Sequence, residues 1–302
     1  MSILHYTDDL GTHNPQTAGN YLENQAPVSG DTVILRSRLL VDEDTGGDGS
    51  ITAGLDMSAV LLARLVIEQN WTGLVGTPNG PWRIGARVVE IGRDTGFGSP
   101  VGSQRINLDL LHIGSGAPVV TVFGTCDSSA EAYLPPVRLL LDDANAVLEV
   151  LKGSVGLGVL GESCTAGTIR ESYLSDVAGD AEVIVGDNVT LATVDKVGGD
   201  MVLRSGATAV SSGAGKLTIE GAGAVGTLTV DGGTVYPNAS GTIGALALNG
   251  GLADFTQSRT ARTVTAVTGR AGGAIKYDPS VVTVTNQITA SEAVLVQFSA
   301  VG

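Results

Sequence analysis

The stretch TLTVDGGTVYPNASGTIGALALNGGLADF, Thr227 to Phe255, writes one pattern twice. Leu228, Val230 and the pair Gly232-Gly233 return as Leu246, Leu248 and Gly250-Gly251, each 18 residues later. Between the copies stand only small and polar residues. A repeat of this length, made of short alternating apolar runs closed by glycine, is the mark of a chain that stacks like units on one another. Inward side chains then form columns, Leu228 over Leu246 and Val230 over Leu248. The double glycines fall where the backbone turns with φ > 0, or where a Cβ has no room.

The pattern extends outward in both directions. Strand-like pieces such as ARLVIEQNWTG, ARVVEIGRDTG, VRLLLDDAN, AEVIVGDN, GDMVLRSG and KLTIEGAG each end in Gly, Asn or Asp. Marking the last apolar residue of selected strands gives Ile67, Ile91, Ile113 and Leu141, then Leu203, Ile219, Val230 and Leu248. The steps are irregular around twenty. This predicts an all-β protein, a single-stranded parallel β-solenoid over residues 29–302 with closing strands at its C-terminal end. The C-terminal VVTVTNQITASEAVLVQFSAVG reads as those closing strands or as an oligomer contact. Residues 1–28, polar and carrying Pro15 and Pro27, read as an N-terminal arm or cap over the open first rung. CDSSAEAYLPP, Cys126 to Pro136, reads as a loop inserted at a corner. Asp56 to Gln69, DMSAVLLARLVIEQ, has a helical face but a Val-Ile ending that suits a strand. The alternative is a β-sandwich, because DGG and NGG are each followed by a second short strand, as in a hairpin.

Composition sets limits on function. Of 302 residues 43 are Gly, aromatics are 4% and charged residues 16%, so the interior is filled by small and β-branched aliphatics. The net charge of −14 repels phosphate backbones and anionic lipid, which argues against nucleic-acid and membrane partners. The opening MSILHYTDDLGTHNPQ has no basic leader or apolar core of a signal peptide, and the expectation is assembly in the cytosol. Two cysteines, Cys126 and Cys164, without CxxC spacing, read as buried thiols rather than a disulfide or a zinc site.

A search for chemistry finds few candidates. GLGVLG (Gly156, Gly158, Gly161) and GAGAVG (Gly221, Gly223, Gly226) match GxGxxG, but no helix follows GAGAVG to receive a pyrophosphate, and this glycine content supplies about one such match by chance. His5, His13 and His112 are far apart, and His112 reads as an outward strand residue. Asp42, Glu43, Asp44 and Asp48 gather on a glycine turn. Asp42, Asp44 and Asp48 could offer oxygen ligands to Ca²⁺, although the spacing is that of no EF-hand and a solvated acidic turn explains them as well. Asp142 and Asp143 could imitate the paired carboxylates of polysaccharide hydrolases, but adjacent strand residues point to opposite faces. Trp71 and Trp82 could form an aromatic contact patch or fill corners. No residue is assigned a catalytic role, and no cofactor is implied.

One segment carries a resemblance. In TAGNYLENQAPVSGDTVIL, Thr17 to Leu35, an Asn-aromatic pair (Asn20, Tyr21) precedes Pro27, Gly30-Asp31 and the alternating Val33 and Leu35. With Tyr in place of the usual Trp, this resembles the lead-in motif of β-helical surface and virion proteins. Together with GLDMSAVLLARLVIEQNWTGLVG after it, the segment resembles tailed-bacteriophage virion structural proteins of the capsid decoration (cement) or fibre type. The resemblance implies a non-enzymatic cement protein on the outer surface of a phage head, bound to the major capsid protein, with Tyr21 among the contact residues and a homotrimer as the common state. It equally admits a tail fibre or spike that binds host polysaccharide, while a secreted β-helix adhesin or polysaccharide-degrading enzyme would need an export signal.

Overall fold

The computed structural model describes residues 1–36, 49–93, 105–111, 117–125, 135–172, 182–286, 288–290 and 295–298. Over these residues the protein is all-β, with a single 3-10 turn at Ala18–Asn20. The chain divides into two compact units, Met1–Leu157 and Gly158–Gly302.

The first unit holds β1 (Ile3–Tyr6), β2 (Thr32–Leu35), β3 (Asp56–Glu68), β4 (Trp82–Arg93), β5 (Ile106–Leu110), β6 (Val119–Val122), β7 (Val137–Val150) and β8 (Ser154–Leu157). They form two parallel ladders. One runs β1, β2, β3, β4, β6, β7 through their last residues, and the other runs β3, β4, β5, β7, β8. The long strands β3, β4 and β7 serve both, and β3 shifts register between Met57 and Leu61 to do so. Along the first ladder Tyr6, Leu35, Ile67, Ile91, Val122 and Val150 pair one over the next, and so do Leu4, Val33, Leu65, Val89, Val120 and Leu148. All twelve are buried. Each such apolar side chain removed from water stabilises by roughly 1.5–3 kcal/mol, so these two columns are a large part of the core, with Trp82, Leu108, Leu139 and Leu157 stacked likewise on the second ladder. Along this first ladder the partner of a residue lies 24 to 32 positions away, for example Arg64 to Val88 and Thr32 to Arg64.

The second unit holds β9 (Cys164–Glu171), β10 (Glu182–Val185), β11 (Val189–Lys196), β12 (Asp200–Leu203), β13 (Ala207–Ser212), β14 (Lys216–Ile219), β15 (Val225–Val230), β16 (Thr234–Pro237), β17 (Ile243–Leu248), β18 (Leu252–Asp254), β19 (Arg262–Gly269), β20 (Ala274–Tyr277), β21 (Val282–Val284), β22 (Thr289–Ala290) and β23 (Leu295–Phe298). The odd strands from β9 to β19 form one parallel ladder, which β21 and β22 continue. The even strands from β10 to β20 form a second, continued by β23. Leu228 pairs with Leu246 and Val230 with Leu248, as the opening repeat requires.

Glycine makes the tight corner between the ladders. Gly199, Gly215, Gly233 and Gly251 all have φ between 63° and 66°. A Cβ on Gly251 would stand 2.6 Å from the Gly233 carbonyl oxygen, and one on Gly215 would stand 2.0 Å from that of Gly199. Both the dihedral and the close approach exclude a side chain here. The double glycines therefore lie over one another, 18 residues apart.

Several expectations meet a definite outcome. Asp56–Glu68 is a 13-residue strand and not a helix, because its Leu65 and Ile67 belong to the interior columns. The marker series mixed two ladders: Ile67 pairs with Ile91, Leu203 with Ile219 and Val230 with Leu248, but Ile219 and Val230 lie on different ladders. The hairpin reading of DGG and NGG fails for a similar reason. The strand after each, β16 or β18, pairs with strands a full repeat away and in parallel. Residues 1–28 contribute β1 to the first ladder, and the segment after it returns along the outer side of β1, where the Leu22 N–H donates to the His5 carbonyl at 3.0 Å.

Candidate functional site

The segment that carries the resemblance folds into the structure residue by residue. Asn20 is buried and holds the 7–20 loop closed: its Oδ1 accepts from the Leu10 N–H, its Nδ2 donates to Thr12 Oγ1 and to the Asn14 carbonyl, and its own carbonyl accepts from the Thr7 N–H. Tyr21 is 2% exposed, its ring edge-on to Tyr6 at 5.3 Å and its hydroxyl donating to the Pro15 carbonyl. Burial pushes the Tyr21 phenol far above its ordinary range. Asp31, also buried, accepts from the N–H groups of Ser2 and Val28 and so ties the first residues to the start of β2. Gly30 has φ +96° and Pro27 is buried. These residues pack against β1 and the start of β2, and Tyr21 offers no ring to a partner.

The two tryptophans are likewise interior. Trp82 begins β4 and pairs with Leu108, and Trp71 packs against Tyr6 at 6.1 Å and fills the space left by Gly49 and Gly73. Both are buried, Trp82 in the interior column with Leu108 and Leu139, and they form no surface platform. Asp142 is exposed and Asp143 buried, on opposite faces of β7, and they line no common cleft. Asp143 instead accepts from the Asn145 N–H. Cys164 is buried in β9. His5 bonds Glu23 at 2.8 Å, and His13 Nδ1 lies 2.6 Å from the buried Asp8 Oδ2. Asp42, Glu43, Asp44, Asp48, His112 and Cys126 lie outside the described residues. GLGVLG leads into the strand β9 and GAGAVG into β15, so neither glycine pattern opens a helix.

Three groups that the sequence reading passed over carry most of the described charge chemistry. On the first unit, Arg36 makes a two-pronged bond to the buried Glu68, Nε and Nη2 each 2.6 Å from a carboxylate oxygen. Glu90 receives Arg64 and Arg93 at 2.5 Å, and Arg83 reaches Asp109 at 2.8 Å. Each of these pairs but the local Arg93–Glu90 bridges separate strands or a strand and the segment leaving one. A signal was available, since Arg36 and Glu68 each follow directly on a column residue, Leu35 and Ile67.

In the second unit, Glu171, Lys196 and Ser212 pair in register on β9, β11 and β13, at the interior position that Val230 and Leu248 occupy further along. All three are at most 1% exposed. The Lys196 ammonium donates to the Ala214 carbonyl. Burial pushes its pKa below the ordinary 10.5, and the nearby carboxylates of Glu171 and Asp200 oppose the shift. Arg262 is the third case. Buried at the start of β19, it donates to the carbonyls of Thr260, Pro237 and Ser258 and stands over the Phe255 ring at 5.9 Å. Burial lowers its pKa.

Among the described residues no group of three or more His, Cys, Asp or Glu side chains is placed to hold a metal ion, and no helix is long and apolar enough to cross a membrane. No protein-family model, curated protein or solved structure matches the chain.

Proposed function

We propose that the chain winds as a single-stranded parallel β-solenoid and acts as a non-enzymatic structural part of a tailed-phage particle, a capsid decoration (cement) protein on the outer surface of the head. The observation that carries this reading is the in-register stacking within each unit, where one strand's inward residues lie over the next strand's in largely apolar columns, interrupted in the second unit by Glu171, Lys196 and Ser212. Such a stack is stiff, because every inner strand is hydrogen-bonded on both sides and the side chains interdigitate at crystal-like density. A stiff, acidic body suits a role laid across capsomer boundaries, where shared contact area resists outward pressure and no DNA is engaged. The residues Asn20, Tyr21, Pro27, Gly30, Asp31, Val33 and Leu35 support the reading by their resemblance to virion lead-in motifs. Their packing at β1 and the start of β2 is what such a motif has to do. Assembly would take place in the host cytoplasm with the major capsid protein as partner.

Fractionation of particles into heads and tails, followed by quantitative mass spectrometry, tests the proposal. It predicts recovery with heads in amounts comparable to the major capsid protein. Recovery with tails in a few copies, or in neither fraction, would overturn it.

A further inference from the structure

The first and last strands are finished differently. On β1 the inward Leu4 and Tyr6 are fully buried, and the outer edge is taken up at His5, whose N–H donates to Glu23 Oε2 and whose carbonyl accepts from Leu22. On β23 the register Ile275↔Val296 and Tyr277↔Phe298 puts Val296 and Phe298 in the inward columns. Tyr277 below is 8% exposed, but Phe298 is 63% exposed and Leu295 64%. The Phe298 ring stands edge-on to Tyr277 at 5.2 Å, with its other side in solvent. β23 pairs with β20, and among the described residues no strand pairs on its other side.

We propose that β23 is the surface through which two copies of this chain associate about a two-fold axis, each β23 pairing antiparallel with the other and the two Phe298 rings packing together. The occupant follows from the chemistry of the edge. An edge with no strand beside it among the described residues, carrying an exposed aromatic column, is matched by another strand carrying the same column. The four residues Leu-Val-Gln-Phe carry no charge, which matters for a chain of net charge −14 whose copies repel each other across any acidic face. A head-to-tail contact would need the outer edge of β1, which Glu23 and Leu22 already occupy at His5. Use of the same edge twice closes the assembly at two. This goes beyond the structural role proposed above and holds or fails independently of it.

Sedimentation equilibrium of the full chain, from about 1 µM to about 1 mM, tests the contact. It should show a reversible monomer–dimer equilibrium. Phe298→Lys and, separately, Leu295→Lys should each weaken dimerisation about tenfold or more, while the thermal melt measured at low concentration stays within about 2 °C of the parent because both side chains are already in water. A monomer throughout the range would overturn the proposal, as would dimers indifferent to both substitutions. A trimer would overturn it in favour of the threefold state that the virion resemblance implies, and open-ended chains would show that the edge does not close on itself. Head-and-tail fractionation reports on the particle role separately, whichever of these results is found.

Discussion

The two units solve the same problem with different materials. In the first, paired strands lie 24 to 32 residues apart along the main ladder, and in the second, along the odd-strand ladder beyond its first step, 16 to 21. A long connection has room for side chains, so the first unit packs Trp71 at a turn and ties its strands with close Arg–carboxylate pairs. A short connection brings one backbone onto the next, so the second unit stacks glycines at successive corners, as the first does where Gly92 meets Gly124. Its exposed ion pairs are looser, with Arg170–Asp195 at 3.6 Å and Arg204–Glu220 at 3.5 Å, and contribute little in water. The interior columns are mostly aliphatic in both, except where Glu171, Lys196 and Ser212 interrupt one column of the second unit.

The largest effect should come from the glycine corner. Gly251→Val puts a β-branched residue at φ +63° with its Cβ 2.6 Å from backbone atoms that cannot retreat, and should cost more than about 4 kcal/mol in urea unfolding. Gly30→Ala in the first unit, at φ +96° with open space around it, should cost only about 1–2 kcal/mol. Equal costs would break the distinction between the two kinds of corner.

Leu246→Ala and Leu65→Ala, one from each unit and both buried, should each cost about 3 kcal/mol. A large difference between them would show that the columns are not equivalent. Arg36→Met, which leaves the buried Glu68 without its two-pronged partner, should cost about 1–3 kcal/mol, and Arg204→Met on the loose pair less than about 0.5 kcal/mol.

The smallest effect is a pH dependence. The folded pKa of Lys196 lies below the unfolded 10.5, so the folded state binds fewer protons between those two values and stability should rise with pH through that window. Lys196→Met should lose this rise, so the parent's melting temperature should climb relative to the variant's as pH rises towards 10.5. Curves that stay parallel would place the ammonium in water.

Much of the strand layout was legible because its cause is local. An alternating run closed by glycine states which residues face inward, and Leu228 over Leu246 could be read from an 18-residue recurrence alone. The partition into two ladders was not legible, since Ile219 and Val230 look alike in sequence while their strands belong to different ladders. Asp56–Glu68 shows the same limit: its helical spacing is overridden by columns that exist only once neighbouring strands are in place. For the site, the sequence drew the eye to aromatics and clustered carboxylates, whereas Tyr21 and Trp71 turn inward onto Tyr6 and Trp82 onto Leu108 as part of the first unit's interior. Glu171, Lys196 and Ser212 were missed because their shared position is 25 and 16 residues apart, an uneven spacing that hides a column.

In-register parallel stacking is tested most directly with spin labels on outward positions of successive strands. Ser211 pairs with Thr229 and Thr229 with Ala247, so labels on 211 and 229, or on 229 and 247, sit on strands about 4.8 Å apart. With Cys126 and Cys164 replaced by alanine, both cysteine pairs should give strong dipolar broadening. Broadening absent from either pair would mean that residue 229 does not lie between its two repeats, and the stacked account would be wrong.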